Sequence, residues 1–216
     1  MAEASPTSSA AGPSFRLLGK LLLIIALPLY IADQVTKWWT VSHFSEPQLV
    51  ARITEEGTII KRRNFGTSDD PIVVIEGLFN ITRVHNQGVA FGFGNGTAWA
   101  PVVFLLIPLI AVTLLLIFWR KGTFATPMMK TACVLLFSGI AGNVTDRLLQ
   151  GFWLDFAKDG SWWERFSAGY VVDFIDVTIP FINYNWPVFN IADSCISVAA
   201  LLLVISSFRE EASKKA

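Results

Sequence analysis

Residues 187–207 read PVFNIADSCISVAALLLVISS, and these 21 positions carry a single charged side chain, Asp193. An α-helix of about 20 apolar residues spans the hydrocarbon core of a bilayer. An ionisable group inside such a helix is costly unless it is paired, and by default it marks a functional site. The stretch therefore predicts a membrane-spanning helix and makes Asp193 a candidate functional residue.

A second acid, Asp173, ends the short apolar run 170–172 in the loop that precedes this helix. Two carboxyl groups that meet at a membrane boundary cannot both ionise cheaply. They therefore share a proton and can activate a water molecule. We hypothesise that Asp173 and Asp193 form such a pair.

The composition of the chain supports a membrane protein. Of its 216 residues, 53% are apolar and 16% are charged, whereas ordinary soluble domains carry about 25% charged residues. The length would suit one or two soluble domains, but this composition favours one small multi-pass unit with loops. The 17 basic and 17 acidic residues give no net charge, which gives no indication of a nucleic-acid partner.

Three further apolar segments predict membrane helices: residues 17–32, 99–118 and 127–144. No small-x-small cleavage site follows the first of them, so we interpret it as a retained anchor rather than a secretory signal. Residues 1–15 are rich in Ser, Ala, Pro and Thr and predict a disordered cytoplasmic tail. Residues 209–216 would form a second cytoplasmic tail.

Basic residues set the predicted orientation. The link between the second and third spans carries Arg120, Lys121 and Lys130 without an acid, whereas residues 147–187 hold three bases and five acids. Short basic loops stay in the cytoplasm. Both termini are therefore expected in the cytoplasm, and the long links, about 33–96 and 147–187, outside.

With this orientation, the polar residues of the spans gather at their outer ends. An asparagine lies three residues before an acid in two of these places, so each pair shares a helix face and the amide can donate to the acid. The adjacent Asp146 and Arg147 are compatible either with a structural ion pair or with substrate binding. Asp33 ends the first span, Asn143, Asp146 and Arg147 end the third, and Asn190 and Asp193 begin the fourth.

The remaining reactive residue types suggest structural roles. Cys133 and Cys195 fall in apolar segments and are expected to be small core residues, not disulfide partners or metal ligands. His43 and His85 lack ligand spacing and are expected at the surface or membrane interface. The glycine-rich residues 86–94, NQGVAFGFG, favour a strand-and-turn surface, although a plain hairpin explains them equally well.

Five motifs in this order resemble the lipoprotein signal peptidases, or signal peptidase II, of bacteria. The resemblance covers about residues 17–207. The motifs are DQVTK at 33–37, NQGVAF at 86–91, GNVTDR at 142–147, VVDFID at 171–176 and FNIADS at 189–194.

This resemblance implies a membrane all-α fold with a small β element: four transmembrane helices, an extracytoplasmic β-cradle and a short surface helix. Residues 16–208 would form the peptidase domain in the bacterial cytoplasmic (inner) membrane. The implied activity is that of an intramembrane aspartyl endopeptidase without a cofactor or metal. Its substrates would be diacylglyceryl-modified prolipoproteins, cleaved on the amino side of the lipidated cysteine. We expect a monomer in contact with membrane lipid.

Matched motif by motif, the catalytic dyad would be Asp173 and Asp193. Two departures accompany the resemblance. Residues 138–140 read SGI where the family usually has GGA, and the outer links are extended around 45–70 and 152–167. The second extension contains three tryptophans, which suit a membrane interface. The substrate-binding or supporting residues would be Asp33, Asn86, Gly88, Asn143, Asp146, Arg147 and Asn190.

Two other classes of protein would also explain the membrane spans. A small ion- or proton-coupled transporter subunit could use Asp193 as a relay, but spans one and two show no polar residue at mid-depth to complete a path. A non-catalytic membrane anchor would leave the Asp173 and Asp193 motifs unexplained. The sequence also lacks the His-Glu-x-x-His pattern of zinc proteases.

Overall fold

The computed structural model describes residues 14–46, 49–53, 59–63, 71–87, 100–154 and 158–215. Gly88 and most of the glycine-rich stretch lie outside these residues, as does much of the extension at 45–70. Within the described part of the chain, four helices are long and apolar enough to cross a membrane, which confirms the four predicted spans. They are α1 (Phe15–His43), α2 (Ala100–Arg120), α3 (Pro127–Leu149) and α5 (Ile191–Lys215), with the short α4 (Trp162–Ser167) between the last two.

Helix α1 is longer than the predicted span 17–32. It begins after Ser14, whose hydroxyl accepts from the amide of Leu17, and continues to His43, with a π-helical stretch at Leu22–Ala26. The threonines of its second half stay in the helix because each hydroxyl donates to a carbonyl four residues back, as Thr40 does to Thr36. Asp33 therefore lies inside α1, not at its end as predicted, and the outer link starts beyond His43.

The ends of the other two polar spans also differ from the prediction. Helix α3 continues past residue 144 to Leu149 and passes into a 3-10 turn, Gln150–Trp153. Helix α5 starts at Ile191, not at residue 187, because Phe189 forms a bridge with Ile175 of the sheet instead. The fourth span therefore enters its helix directly from a strand-like segment.

Helices α3 and α5 cross closely at two glycines. A Cβ atom on Gly139 would lie 2.5 Å from the carbonyl oxygen of Ala192, and one on Gly142 would lie 2.5 Å from Oδ2 of Asp33. Both separations are too short for a side chain. Gly142 thus brings α3 against the polar part of α1 and the start of α5 at the same point.

Among the described residues, the β element consists of two antiparallel sheets. Strands β1 (Leu49–Ile53) and β2 (Ile59–Arg63) form a hairpin. Strands β3 (Ile72–Ile75), β4 (Phe79–Asn86), β5 (Val171–Ile179) and β6 (Tyr184–Asn185) follow one another in this order in a second sheet. The β4–β5 register sets Val84 opposite Asp173 and Asn86 opposite Val171. This pairing brings the end of β4 to the start of β5, where the second candidate acid lies.

The two ends of the helix bundle differ in character. At one end, Leu18, Trp119, Phe124 and Cys133 are buried in an apolar cluster. At the other end, where the sheet packs, buried polar side chains such as Asp33, Lys37 and Asp146 lie beside a smaller apolar cluster that includes Tyr170 and Val172. Both cysteines are free and buried, which confirms that they are core residues. Helix α4 lies at the sheet end and exposes Trp162 and Trp163, 64% and 50% accessible.

Candidate active site

Asp173 is the third residue of β5 and is 1% exposed. Each of its carboxyl oxygens accepts a hydrogen bond from a side-chain amide. Asn190 donates to Oδ1 at 2.7 Å, and Asn86, at the end of β4, donates to Oδ2 at 3.0 Å. The strand fixes the backbone of Asp173, and the two amides fix its carboxyl plane.

Asp193 lies in the first turn of α5 and belongs to a capping box. Asn190 is the N-cap residue: its side-chain Oδ1 accepts from the backbone N–H of Asp193 at 2.8 Å, while its own backbone N–H donates to Oδ2 of Asp193 at 3.3 Å. Asn143 of α3 donates to the other oxygen, Oδ1, at 2.8 Å. The spacing had predicted that Asn190 and Asp193 share a helix face. Asn190 instead precedes the fourth helix.

Asn190 joins the two acids. It is fully buried, and it is hydrogen-bonded to the carboxyl groups of both Asp173 and Asp193. Burial, together with repulsion from Asp193, raises the pKa of Asp173 to about 8. The pair can consequently hold one proton at neutral pH, which a single exposed carboxyl group could not do.

A buried lysine that the sequence analysis did not single out lies beside this pair. Lys37 is 1% exposed, and its ammonium group is 2.8 Å from Oδ2 of Asp33 and 3.0 Å from Oδ2 of Asp146. Gln34 donates to both of these carboxylates as well. The available signal was the i, i+4 spacing of Asp33 and Lys37, which places opposite charges on one helix face.

Asp146 joins this cluster through an ion pair with Lys37. The choice between a structural ion pair and a role in substrate binding stays a prediction. Consecutive helix residues do not face each other, and the Arg147 guanidinium instead lies over the ring of Phe104, 5.0 Å from its centroid. There it is within electrostatic range of Asp173 and Asp193.

His85 is buried, which contradicts the surface position; the membrane-interface position stays a prediction. Its ring stacks on Tyr170 with centroids 3.6 Å apart, and its Nε2 accepts from Nε of Arg83 at 2.9 Å. Arg83 also donates to the carbonyl oxygens of Val41 and Phe44 at the end of α1. Because side chains two residues apart share a face of a strand, His85 lies on the same face of β4 as Arg83. His43 is exposed, as expected.

The fold and the site together indicate the class of protein. Within the described residues, no group of His, Cys, Asp and Glu side chains is arranged to hold a metal ion, and the polar centre is a carboxyl pair held by asparagines. The fold matches two solved bacterial membrane enzyme structures, obtained by the in meso method at 2.3 Å and 1.9 Å resolution. The first has a TM-score of 0.67 at 28% identity and covers 94% of this chain and 95% of its own. The second has a TM-score of 0.61 at 29% identity, with 88% and 93% covered. The chain is a multi-pass bacterial membrane protein.

Sequence comparison identifies the family. The model of the signal peptidase (SPase) II family matches residues 25–209. A lipoprotein signal peptidase of Syntrophus aciditrophicus is 32% identical over 90% of this chain and 96% of its own length. One from Staphylococcus aureus is 30% identical over 89% and 91%. The chain belongs to the signal peptidase II family. This membership does not support the alternative of a transporter subunit.

Proposed function

We propose that this protein removes the signal peptide from prolipoproteins and that Asp173 and Asp193 together activate the hydrolytic water. Its family and its relatives are signal peptidases. The observation that supports the aspartate pair most strongly is the shared hydrogen bonding of both carboxyl groups to Asn190. An asparagine so placed holds two acids at one point without neutralising either.

The different surroundings of the two acids support a division of roles between them. Asp173 is the more deeply buried, and with a pKa raised to about 8 it carries the shared proton at neutral pH. Asp193 lies at a helix N-terminus, where the unpaired amides and the helix dipole stabilise a negative charge. Asp193 is therefore the base and Asp173 the acid.

In the proposed reaction, the Asp193 carboxylate takes one proton from water while the water oxygen attacks the scissile carbonyl carbon. The protonated Asp173 donates a hydrogen bond to the carbonyl oxygen. When the tetrahedral intermediate collapses, the C–N bond breaks and the leaving nitrogen takes up a proton from the dyad. Water supplies both the hydroxyl of the new carboxyl group and the hydrogen of the new amine, so no acyl-enzyme forms.

We propose a diacylglyceryl-modified prolipoprotein as the substrate, cleaved on the amino side of the lipidated cysteine. The acids lie at one end of helices that expose apolar side chains, such as Leu109 and Leu201. The acyl chains can therefore stay in lipid while the peptide bond reaches the carboxyl groups. Asn86, Asn143 and Asn190 would support the acids, and Arg147 would bind substrate.

The membrane orientation follows from charge. Arg120 and Lys121 lie between α2 and α3, at the end of the bundle away from the acids. The positive-inside rule assigns this end to the cytoplasm, so the active site faces outward and both termini face inward. We propose that residues 16–208 act as one monomeric peptidase domain in contact with membrane lipid, although α5 remains helical to Lys215.

The test is cleavage of a diacylglyceryl-modified lipobox peptide and of its unlipidated twin by the purified protein. We expect cleavage of the lipidated peptide alone, and almost none by Asp173→Asn or Asp193→Asn. The matched control is Asp159→Asn, because Asp159 is an exposed acid in a turn of the same outer link. Wild-type turnover by either dyad variant would remove that residue from the mechanism.

A further inference from the structure

Two carboxylates outside the dyad hold the backbone immediately next to it. Oδ1 of Asp33 accepts from the amide of Ala192 at 2.9 Å, and Oδ2 of Asp146 accepts from the amide of Val172 at 3.0 Å. Ala192 directly precedes Asp193, and Val172 directly precedes Asp173. The same arrangement thus occurs twice, once at a helix start and once in a strand.

One side chain connects these two arrangements. The Lys37 ammonium lies between Asp33 and Asp146, which are each 1% exposed. Two buried carboxylates without a cation would repel each other and face a large desolvation cost. They would take up protons or move apart, and the two amides that they hold would move with them. Lys37 therefore stabilises both positions at once.

Asn190 donates to the amide oxygen of Asn143 at 3.2 Å, and Lys37 helps to fix the orientation of the same amide. The third contact of Lys37 is with Oδ1 of Asn143, at 3.2 Å. Because an ammonium group only donates, the amide oxygen must face Lys37 and the amide N–H₂ must face the other way. That N–H₂ is the group that donates to Asp193 at 2.8 Å.

The number of donors on the Lys37 ammonium group distinguishes a positioning role from a direct role in proton transfer. An ammonium group has three N–H donors, and Lys37 has three acceptors within 3.2 Å: Asp33, Asp146 and Asn143. None of these acceptors is a dyad carboxyl group. With its donors engaged, Lys37 has no proton to offer to a substrate or to either dyad acid.

We propose that Lys37 is a positioning residue that sets both aspartates of the dyad through Asp33, Asp146 and Asn143. This inference rests on the proposed function, in which Asp173 and Asp193 carry out the hydrolysis. Loss of Lys37 is therefore expected to lower kcat and to leave binding of the lipidated peptide unchanged.

The first experiment replaces Lys37 by methionine, which is of similar length and lacks the charge. We expect kcat on the lipidated lipobox peptide to fall about 100-fold, since displacement of a reacting group by about 1 Å has an effect of this size. KM should stay within about twofold. The control is Lys20→Met on the same helix, because Lys20 is exposed, and it should leave both constants unchanged. Hydrogen exchange should accelerate at the amides of Val172 and Ala192.

The second experiment tests rescue. The triple variant Asp33→Asn/Lys37→Met/Asp146→Asn removes all three charges, while each new Oδ1 can still accept from the same backbone amide. We expect slow exchange at Val172 and Ala192 to return and kcat to recover at least tenfold over Lys37→Met. A purely electrostatic role of the lysine on the dyad would not allow this recovery.

Three results would overturn the inference: two concern activity and the third concerns folding. The first is wild-type kcat in Lys37→Met, and the second is a triple variant that regains slow exchange but stays as inactive as the single variant. If Lys37→Met does not accumulate, the triple variant decides alone, and its failure to fold would show that the cluster serves folding only. Asp173→Asn and Asp193→Asn, assayed in parallel, separate the two proposals: their activity would refute the dyad, whereas their inactivity beside an active Lys37→Met would refute the lysine's role alone.

Discussion

Replacing Gly142 by alanine tests whether the crossing of α3 and α5 positions the site. The new Cβ would lie 2.5 Å from Oδ2 of Asp33 and 2.9 Å from Cβ of Ala192. Neither neighbour is free to move, because Asp33 is paired with Lys37 and accepts from the Ala192 amide. The substitution must therefore push α1 and α5 apart at the point where they hold the dyad.

The magnitude combines two opposing terms. Alanine in place of glycine favours a helix interior by about 1 kcal/mol, whereas overpacking a filled site costs about 1–3 kcal/mol. Two contacts below 3 Å with fixed groups place Gly142→Ala at the upper end of that cost, for a net loss of about 2 kcal/mol. In a chain of this length, the thermal midpoint would fall by roughly 4–8 °C. Cleavage should slow by about 10- to 100-fold because the acids are displaced.

The assay is thermal unfolding of the detergent-solubilised protein, followed by tryptophan fluorescence, together with cleavage of the lipidated peptide. The matched control is Gly19→Ala in α1, where a Cβ would meet nothing within 4 Å. That variant should be more stable than the wild type by up to about 1 kcal/mol and fully active. A Gly142→Ala protein as stable and active as the Gly19→Ala protein would refute the reasoning.

Four further predictions concern the acids and their neighbours. Because the pKa of Asp173 is raised from its ordinary 3.8 to about 8, the folded state binds a proton that the unfolded state releases. Stability should therefore decline as the pH rises from about 4 to about 8, and Asp173→Asn should flatten this decline in thermal unfolding measured across that range. The kcat of the wild type should fall as the pH rises past about 8, where the dyad loses its shared proton. A pH–rate profile checks this. Asn190→Ala should cost about 1 kcal/mol as a lost N-cap and reduce cleavage at least as strongly as Gly142→Ala. Alanine keeps the backbone N–H that donates to Asp193, so an active variant would mean that Asp173 does not need the side-chain donor of Asn190. Arg147→Ala should impair cleavage and, through loss of the cation–π contact with Phe104, cost about 0.5–2 kcal/mol in a chemical denaturation series; unchanged kcat/KM would exclude a role in binding substrate.

The local sequence was sufficient to predict the spans and several of the residues that the fold brings together. Apolar runs of about 20 residues can be accommodated only as membrane helices, and all four are present in the described part of the chain. The polar residues at the ends of those runs indicated Asn143, Asn190 and Asp193, whereas Asn86 was indicated only by the resemblance to a family. Asp193 could be identified because it is the single charged side chain among residues 187–207. Asp173 could be identified because it ends an apolar run.

Residues whose roles depend on another element could not be identified in this way. Lys37 looks like an ordinary charge beyond a membrane span, and only the packing of α1 against α3 shows that it is buried between Asp33 and Asp146. His85 lacked any local partner, yet the strand register turned it towards Tyr170 and Arg83.

The sequence alone determined which segments enter the membrane and which acids are out of place there, because the transfer of each residue into lipid depends mainly on its own side chain. The tertiary structure decided where the helices end, that Asn190 caps α5 while bridging both acids, and that a lysine neutralises the carboxylates behind them. These features arise from distances between segments far apart in the chain, since a buried charge is tolerated only when an opposite charge or a hydrogen-bond donor on another element reaches it.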